Sequence, residues 1–288
     1  MKKLIYLLMS LSFVAFASCS DDDKDSPSNI DNTQTDNGSK GNSTSGDGGD
    51  SNDNVSVIPF SKSGTEDGHD YVDLGLPSGT KWATCNVGAA TPQDYGNYYA
   101  WGETTTVEID GWGSYKYGSG QEQLTKYCDV SRYGKDGFTD SKTTLDLEDD
   151  AAYVNWGGKW RMPTQAQINE LFNECYWVWT ENYNNSNVKG CIVYKAKISN
   201  DKNKWNNKNY PSSYILSDAH IFLPAAGYRG SGGLYSAGSD GKYWATGLIR
   251  TLPYYATQFI FNSDHIYNDR CDKARCAGLS VRAVIPGE

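Results

Sequence analysis

The polar residues of the chain do not form any of the common catalytic motifs. No serine stands in a G-x-S-x-G turn, no G-x4-G-K-[ST] loop is present to hold a phosphate, and no H-E-x-x-H pair is present to bind zinc. The adjacent acids Asp149 and Asp150 stand at the start of a predicted helix, where capping accounts for both without a role in glycoside hydrolysis. The sequence therefore predicts a protein that is not an enzyme, and an undetected enzyme is the last alternative.

Residue types suited to binding are concentrated between Tyr243 and Arg270 instead. Tyr, Trp and Arg carry most of the energy at interfaces, and Asn, Ser and Asp adapt their hydrogen bonds to many partners. The predicted ligand-binding residues are Trp244, Arg250, Tyr254, Tyr255, Asn262, Asp264, His265, Tyr267, Asn268, Asp269 and Arg270. Two alternatives stay open: strand alternation places Tyr243, Trp244 and Phe259 in the core, or residues 262–269 form only a solvated loop.

Six of the seven cysteines lie well beyond the N-terminal region. An even number in an exported domain indicates disulfides, and Cys271 and Cys276 are close enough in sequence to close a small loop. A zinc site that includes His265 is the alternative reading of this pair. Because C-x4-C is not a zinc-knuckle spacing, the sequence predicts a candidate disulfide and no metal.

The first 18 residues have the pattern of a secretion signal. Two lysines precede an apolar run from Leu4 to Ala17, which is too short to span a bilayer and ends in small residues. The small residues Ala17 and Ser18 directly before Cys19 resemble the lipobox of bacterial lipoproteins. That resemblance implies that residues 1–18 are removed and that the Cys19 thiol is linked to diacylglycerol in the outer membrane. Ordinary secretion with an incidental cysteine is the alternative.

The next segment, residues 19–66, is predicted to be a disordered tether. Its opening "SDDDKD" resembles the acidic export signal that places lipoproteins of the Bacteroidota on the outer cell surface, although a solvated spacer would also be acidic. From Ser20 to about Lys62 the chain consists almost wholly of Asp, Ser, Asn, Gly and Thr, which offer too little apolar surface to order the chain. We therefore expect a flexible connection between the lipid and one folded domain at 67–288.

The charge balance excludes one class of partner. The chain has 35 acidic and 26 basic residues, for a formal net charge of −9. Binding of a phosphate backbone requires a basic patch, which such a surface does not provide. The sequence therefore predicts no nucleic-acid partner.

The folded domain is predicted to be α+β, with mostly antiparallel strands, two helices and long loops. The first helix is expected in "TTLDLEDDAAYVNWGG", with a cap at Asp146, and the second begins with a capping box formed by Thr164 and Gln167. The second helix should bury Ile168, Leu171, Phe172 and Cys175. A hairpin is expected around Pro77–Gly79, and further strands are expected in "VKGCIVYKAKIS", "HIFLPAAGYR", "GKYWATGL", "ATQFIFNS" and "GLSVRAVI".

Seven ordered segments resemble the motifs of one family, the Fibrobacter succinogenes major paralogous domain (FISUMP) family of outer-surface lipoproteins in gut Bacteroidota. They are "YVDLGLPSGTKWATCNVGA", "YYAWGET", "KYC", "WGGKWRMPT", "IFLPAAGYR", "GKYWAT" and "GLSVRAVI". The resemblance covers Asp70 to Ile285 and implies a C-type-lectin-like fold. Members commonly continue the "YW" motif as "YWSSS", whereas this chain has "YWATGLIRTLPYYATQF", so the loop after Trp244 is not carried over from the family.

The resemblance also frames the expected function. Calcium-dependent lectins of this fold use E-P-N or Q-P-D together with W-N-D, and here Tyr267–Asp269 resembles only the last. No cofactor is therefore predicted, with calcium as the alternative. We expect a lipid-anchored surface protein that binds a host protein, glycan or other surface ligand without catalysis. The alternatives are a structural or accessory subunit of a surface appendage, and the target of a diversity-generating retroelement, which the composition of Tyr254–Arg270 would suit.

Overall fold

Strands predominate in the structure, a computed structural model that describes residues 61–106, 108–195, 214–267 and 273–287. This part of the chain contains two α-helices, α1 (Ala151–Trp156) and α2 (Gln165–Glu174). The strands are β1 (Gly64–Glu66), β2 (His69–Val72), β3 (Lys81–Ala83), β4 (Cys175–Thr180), β5 (Gly190–Lys195), β6 (His220–Pro224), β7 (Tyr228–Gly230), β8 (Gly233–Tyr235), β9 (Gly241–Leu248), β10 (Ala256–Phe261), β11 (Ile266–Tyr267) and β12 (Val284–Ile285). The predicted α+β class is confirmed at this level.

The strands form small antiparallel sheets. Their orders are β1-β2-β3-β12, β11-β10-β9, β4-β5-β6 and β7-β8. The predicted hairpin is confirmed, because Tyr71 pairs with Ala83 and Val72 with Trp82 across β2 and β3. β12 pairs with the other edge of β3, so the C-terminal "GLSVRAVI" segment joins the first sheet of the domain.

Helix α1 starts later than the sequence predicted. The Asp150 carboxylate accepts hydrogen bonds from the backbone N–H groups of Ala152 (2.9 Å) and Tyr153 (3.1 Å), which caps the helix. Asp146 instead precedes a 3₁₀ turn and makes no side-chain cap there, so the predicted cap at Asp146 is wrong. The helix ends at Gly157, whose φ of +75° is a conformation that favours glycine.

Helix α2 begins as predicted and ends earlier. The backbone N–H of Gln167 donates to Thr164 Oγ1 (3.3 Å) and the Thr164 N–H donates to Gln167 Oε1 (2.9 Å), so the capping box is confirmed. Ile168 and Leu171 are buried. Cys175, the last residue of the expected helical stripe, opens β4, which follows the helix without a turn.

Two buried arginines tie the core to its loops. The Arg282 guanidinium donates to the carbonyl oxygens of Ala83 (3.1 Å), Thr84 (3.0 Å) and Phe222 (2.8 Å), and its Nε donates to Asn86 Oδ1 (2.9 Å). Burial lowers the pKa of Arg282 below its usual range. Arg275 is equally buried. A buried guanidinium is stable only where oxygen atoms accept its hydrogen bonds, because burying an isolated charge costs a large free energy.

The N-terminal predictions fall mainly outside the described residues. Cys19 and all residues through 60 lie outside the described residues. The same is true of the predicted ligand-binding residues Asn268, Asp269 and Arg270 and of the predicted disulfide partner Cys271. Strand β1 begins at Gly64, slightly before the predicted domain start at 67. Among the residues that the structure describes, no helix is long and apolar enough to cross a membrane.

Candidate functional site

Strand β10 divides the predicted ligand-binding residues into two groups. Arg250, Tyr254 and Tyr255 precede the strand, and Asn262, Asp264, His265 and Tyr267 follow it. A six-residue strand spans roughly 17 Å between its first and last Cα atoms, at about 3.4 Å per residue. The two groups therefore lie at opposite ends of β10 and do not form one continuous face.

Two of the predicted residues are buried. Trp244 is 0% exposed, and its indole N–H donates to the Tyr99 carbonyl oxygen at 2.7 Å. Tyr255 is 5% exposed. The prediction that these two side chains contact a ligand is wrong for this structure, and the core alternative is correct for Trp244 as well as for Tyr243 and Phe259, which stack with 5.1 Å between ring centroids. Trp244 and Tyr255 were predicted to be exposed from their residue types alone, whereas their burial depends on which other segments pack against them.

The loop between β9 and β10 closes tightly around Thr251. The Leu252 N–H donates to the carbonyl oxygens of Arg250 (2.8 Å) and Ile249 (3.1 Å), and the Ile249 N–H donates to the Tyr255 carbonyl oxygen (3.2 Å). Thr251 has a φ of +75°, which is strained for a β-branched residue. The loop projects Arg250 outward, because its side chain is 81% exposed.

A second segment brings aromatic and cationic side chains to this loop. The Tyr133 and Tyr254 rings meet edge to face with 5.1 Å between centroids. The Arg132 guanidinium lies 5.4 Å from the Tyr133 ring centroid, a cation–π distance. We call the set Arg132, Tyr133, Arg250 and Tyr254 the tyrosine patch. Sequence analysis missed Arg132 and Tyr133, which stand more than a hundred residues from Tyr254.

The arginines of the tyrosine patch are held loosely. Arg250 Nε is 3.9 Å from Asp129 Oδ2, and Arg132 Nε is 3.3 Å from Glu122 Oε1. The Arg132 side chain is 74% exposed. The Arg132–Glu122 pair is exposed on both sides, and such pairs contribute about 0–1 kcal/mol to stability, whereas the Asp129 side chain is only 13% exposed. The Arg132 guanidinium can therefore exchange Glu122 for a ligand at small cost, whereas Arg250 is held by one long contact of 3.9 Å to Asp129.

The other end of β10 is a compact turn. Asn262 Oδ1 accepts hydrogen bonds from the N–H groups of Asp264 and His265, both at 2.9 Å, and the Asn262 N–H donates to the His265 carbonyl oxygen. The His265 and Tyr267 rings stack with 5.7 Å between centroids. Asn262 thus shapes the turn, and the side chains it presents are those of Asp264 and His265.

An acidic cluster near α1 already contains a cation. Asp146, Glu148 and Asp149 each offer an oxygen within 4.8 Å of the others. Lys126 Nζ lies 3.4, 3.1 and 2.5 Å from these three carboxylates. The predicted capping role of Asp149 is wrong, because its buried carboxylate accepts hydrogen bonds from the side chains of Lys126, Tyr117 and Tyr127. The cluster is an ion-pair network that holds the Lys126 segment against α1.

The described cysteines show no sign of nucleophilic activation. Burial raises the pKa of the Cys276 thiol to about 12. Its predicted disulfide partner Cys271 lies outside the described residues, so that pairing stays a prediction. Cys85 and His69 line a pocket of about 160 Å³ beside Trp156. Burial raises the pKa of Cys85 and lowers that of His69, which is opposite to what a thiolate–imidazolium pair requires.

A further concave feature lies elsewhere on the domain. A cavity of about 630 Å³ is bounded by residues 96–98, the β7–β8 hairpin, and Thr106, Glu108 and Ile109, and it adjoins a second cavity of about 440 Å³. Gly96, Tyr98 and Arg229 line both, so we call the combined feature the Arg229 groove. Sequence analysis missed it. The local sequence feature that belongs to the groove is the glycine-rich segment "YRGSGGLY", which by itself predicts only a turn.

Comparison with known proteins adds no identification. No protein-family model, curated protein or solved structure matches the chain. Membership in the FISUMP family therefore stays a prediction that rests on the seven motifs, and the observed fold is stated as α+β with small antiparallel sheets.

Proposed function

We propose that this protein is a lipid-anchored lipoprotein of the FISUMP family whose C-type-lectin-like domain binds a protein or glycan ligand on the cell surface without catalysis. The single observation that carries the proposal is the tyrosine patch. It combines two exposed guanidinium groups with two half-buried phenol rings at one end of β10. Tyrosine and arginine dominate the binding energy of characterised interfaces.

The geometry of the patch supports recognition in two ways. The edge-to-face contact between Tyr133 and Tyr254 orders both rings before a ligand arrives, so less conformational entropy is lost on binding. The exposed ion pair of Arg132 and the long contact of Arg250 with Asp129 leave both guanidinium groups, which are 74% and 81% exposed as side chains, available for bidentate hydrogen bonds. A flat, partly preorganised surface of this kind suits a protein or glycoprotein partner.

Backbone strain beside the patch is a further support. Thr251 keeps a positive φ although a β-branched residue disfavours it, and the loop hydrogen bonds around it enforce that conformation. Strained residues of this type cluster at functional sites, where the surrounding structure over-determines them. This strained residue lies in the loop that presents Arg250 to solvent. A binding role for Arg250 would require that loop to keep a defined shape.

The anchor completes the proposal. The apolar leader, the small residues before Cys19 and the acidic segment after it fit a diacylated N-terminus that is exported to the outer surface. Metabolic labelling with a fatty-acid analogue tests this directly. We expect label on the wild-type protein and none on the Cys19→Ala variant, whose domain should also lose its sensitivity to protease added to whole cells. Label retained by Cys19→Ala would contradict the anchor.

Ligand binding is tested with the full-length protein in detergent on an array of glycans and host glycoproteins. The double variant Arg250→Ala/Tyr254→Ala should reduce the wild-type signal at least tenfold, because it removes one cation and one ring of the patch. The matched control is Asp264→Ala/His265→Ala at the opposite end of β10, which should retain the signal. No wild-type signal, or equal loss in both variants, would overturn binding through the patch and favour a structural subunit.

A further inference from the structure

We infer that the Arg229 groove is a second binding site, separate from the tyrosine patch, and that it takes an uncharged oligosaccharide. Its two adjoining cavities, of about 630 and 440 Å³, each lie in the size range of small-ligand sites. The inference rests on the groove alone and does not depend on the tyrosine patch.

Glycines form much of one wall. Gly230, Gly232 and Gly233 line the groove from the β7–β8 hairpin, and Gly96 lines it from the facing segment. Gly232 and Gly233 have φ values of +98° and +143°, and a side chain at Gly96 would place its Cβ 2.6 Å from the Val87 carbonyl oxygen. Without side chains along this wall, a ligand can approach the backbone closely.

A preorganised donor lies at the centre of the groove. The Arg229 guanidinium stacks on the Tyr98 ring at 5.2 Å from its centroid, and Tyr98 itself is fixed by a 2.5 Å hydrogen bond from its hydroxyl to the Ala226 carbonyl oxygen. Among the residues that the structure describes, no carboxylate lies within ion-pair distance of Arg229. Its fork of N–H donors is therefore available to a ligand.

Acceptors line the same groove. The exposed Glu108 lines the larger cavity together with Asn97 and Thr106, and Asp94 lines the smaller one. A sugar hydroxyl both donates and accepts, so a chain of sugars matches a surface that mixes guanidinium donors with carboxylate and amide acceptors. The smaller cavity has the more apolar lining, in which Tyr95, Val188 and Leu234 can contact the C–H faces of sugar rings.

The charges select the ligand class. The lining of the groove contains one guanidinium and the two carboxylates of Glu108 and Asp94, and the whole chain has a net charge of −9. A polyanionic ligand would be repelled by this field. A peptide anchored by large apolar side chains would find a mostly polar lining in the larger cavity, where Glu108 and Arg229 stand beside glycine backbone. An uncharged oligosaccharide meets neither obstacle.

The test is isothermal titration of the full-length protein in detergent with neutral gluco-, manno-, galacto- and xylo-oligosaccharides and with an oligogalacturonate. Wild-type protein should bind at least one neutral member, and Arg229→Ala should weaken that binding at least tenfold. Glu108→Gln keeps a hydrogen-bond acceptor, so its affinity for the oligosaccharide should stay within about threefold of wild type. Glu108→Leu removes the acceptor and should lower that affinity about tenfold. The control Lys159→Ala, at an exposed cation between α1 and α2 that belongs neither to the groove nor to the tyrosine patch, should bind like wild type.

Several results would overturn the inference. Binding of no neutral oligosaccharide would remove the proposed ligand class, and tighter binding of the oligogalacturonate would assign the groove to an acidic ligand. Equal affinity of Arg229→Ala and wild type, with both folded by circular dichroism, would place the saccharide elsewhere. These results can be distinguished from a failure of the proposed binding through the tyrosine patch, because the double variant Arg250→Ala/Tyr254→Ala does not change the residues of the groove.

Discussion

Arg275 Nη1 lies 3.0 Å from the carbonyl oxygen of Pro253, in the loop that carries Arg250. The same atom donates to the Tyr127 carbonyl oxygen at 2.8 Å, and Nη2 donates to that of Lys126 at 2.6 Å. One fully buried guanidinium therefore joins the β9–β10 loop to the chain segment that runs from Lys126 to Tyr133. The two halves of the tyrosine patch are held in place by a residue that takes no part in its surface.

Replacing this guanidinium should loosen the patch. Arg275→Lys keeps the charge but cannot reproduce the planar fork that reaches several carbonyl oxygens at once. Because a hydrogen bond to a charged group is worth about 1.5–3 kcal/mol, we expect the free energy of unfolding in urea to fall by roughly 3 kcal/mol. The control Arg132→Lys, at an exposed arginine, should change it by less than about 0.5 kcal/mol. A similar small change in both variants would show that the carbonyl contacts of Arg275 contribute little.

The strained Thr251 offers a stabilising substitution. At its φ of +75°, Thr251→Gly removes strain worth about 1–3 kcal/mol while adding less than about 1 kcal/mol of unfolded-state entropy. We expect a net gain in the free energy of unfolding, measured by urea titration. Thr125→Gly, at an exposed threonine outside the positive-φ region, should lose about 0.5–1 kcal/mol. Loss in both variants would mean that Thr251 is not strained.

Gln258 is buried with its amide oxygen and nitrogen both lacking a hydrogen-bond partner. Each such group carries a desolvation cost of about 1–3 kcal/mol, so Gln258→Met should raise the melting temperature. Gln167→Met is the matched control. It removes the capping box of α2 and should lower stability by about 1 kcal/mol. Destabilisation by Gln258→Met would reveal that the amide is satisfied in solution, for example by a buried water.

The Asp149 network should make the fold acid-sensitive. Burial raises the pKa of Asp149, but the hydrogen bonds from Lys126, Tyr117 and Tyr127 outweigh it and hold the pKa below its ordinary value. A lowered pKa stabilises the fold above the unfolded value of about 3.9, and this contribution is lost as the pH falls further. Asp149→Asn should be less stable than wild type at pH 7.

The pH series provides the control for that prediction. Between about pH 4 and pH 2 the stability gap between wild type and Asp149→Asn should narrow, as measured by urea unfolding at each pH. Burial raises the pKa of the neighbouring Asp150, which acts in the opposite direction and is common to both proteins. A gap that stays constant on acidification would show that the Asp149 carboxylate contributes through packing and not through its charge.

Local features were predictable because neighbouring residues create them. The capping box of Thr164 and Gln167 closes within one helical turn, and the β2–β3 hairpin follows from two short runs around Pro77–Gly79. Strand β4 was missed because no turn residue separates it from α2, so its "CYWVWT" continues an apolar stretch. The cap of α1 was misplaced by four residues because a row of acids offers several equivalent candidates.

The sequence by itself determined the α+β class, the capping box at the start of α2, and the enrichment of Tyr and Arg near the C-terminus. Only the tertiary structure decided which of those residues face solvent. It buried Trp244 and Tyr255, joined Tyr133 to Tyr254 and opened the Arg229 groove between three distant segments. Capping and alternation are set by residues within a few positions of one another, whereas exposure depends on whichever distant segments pack against a strand or loop.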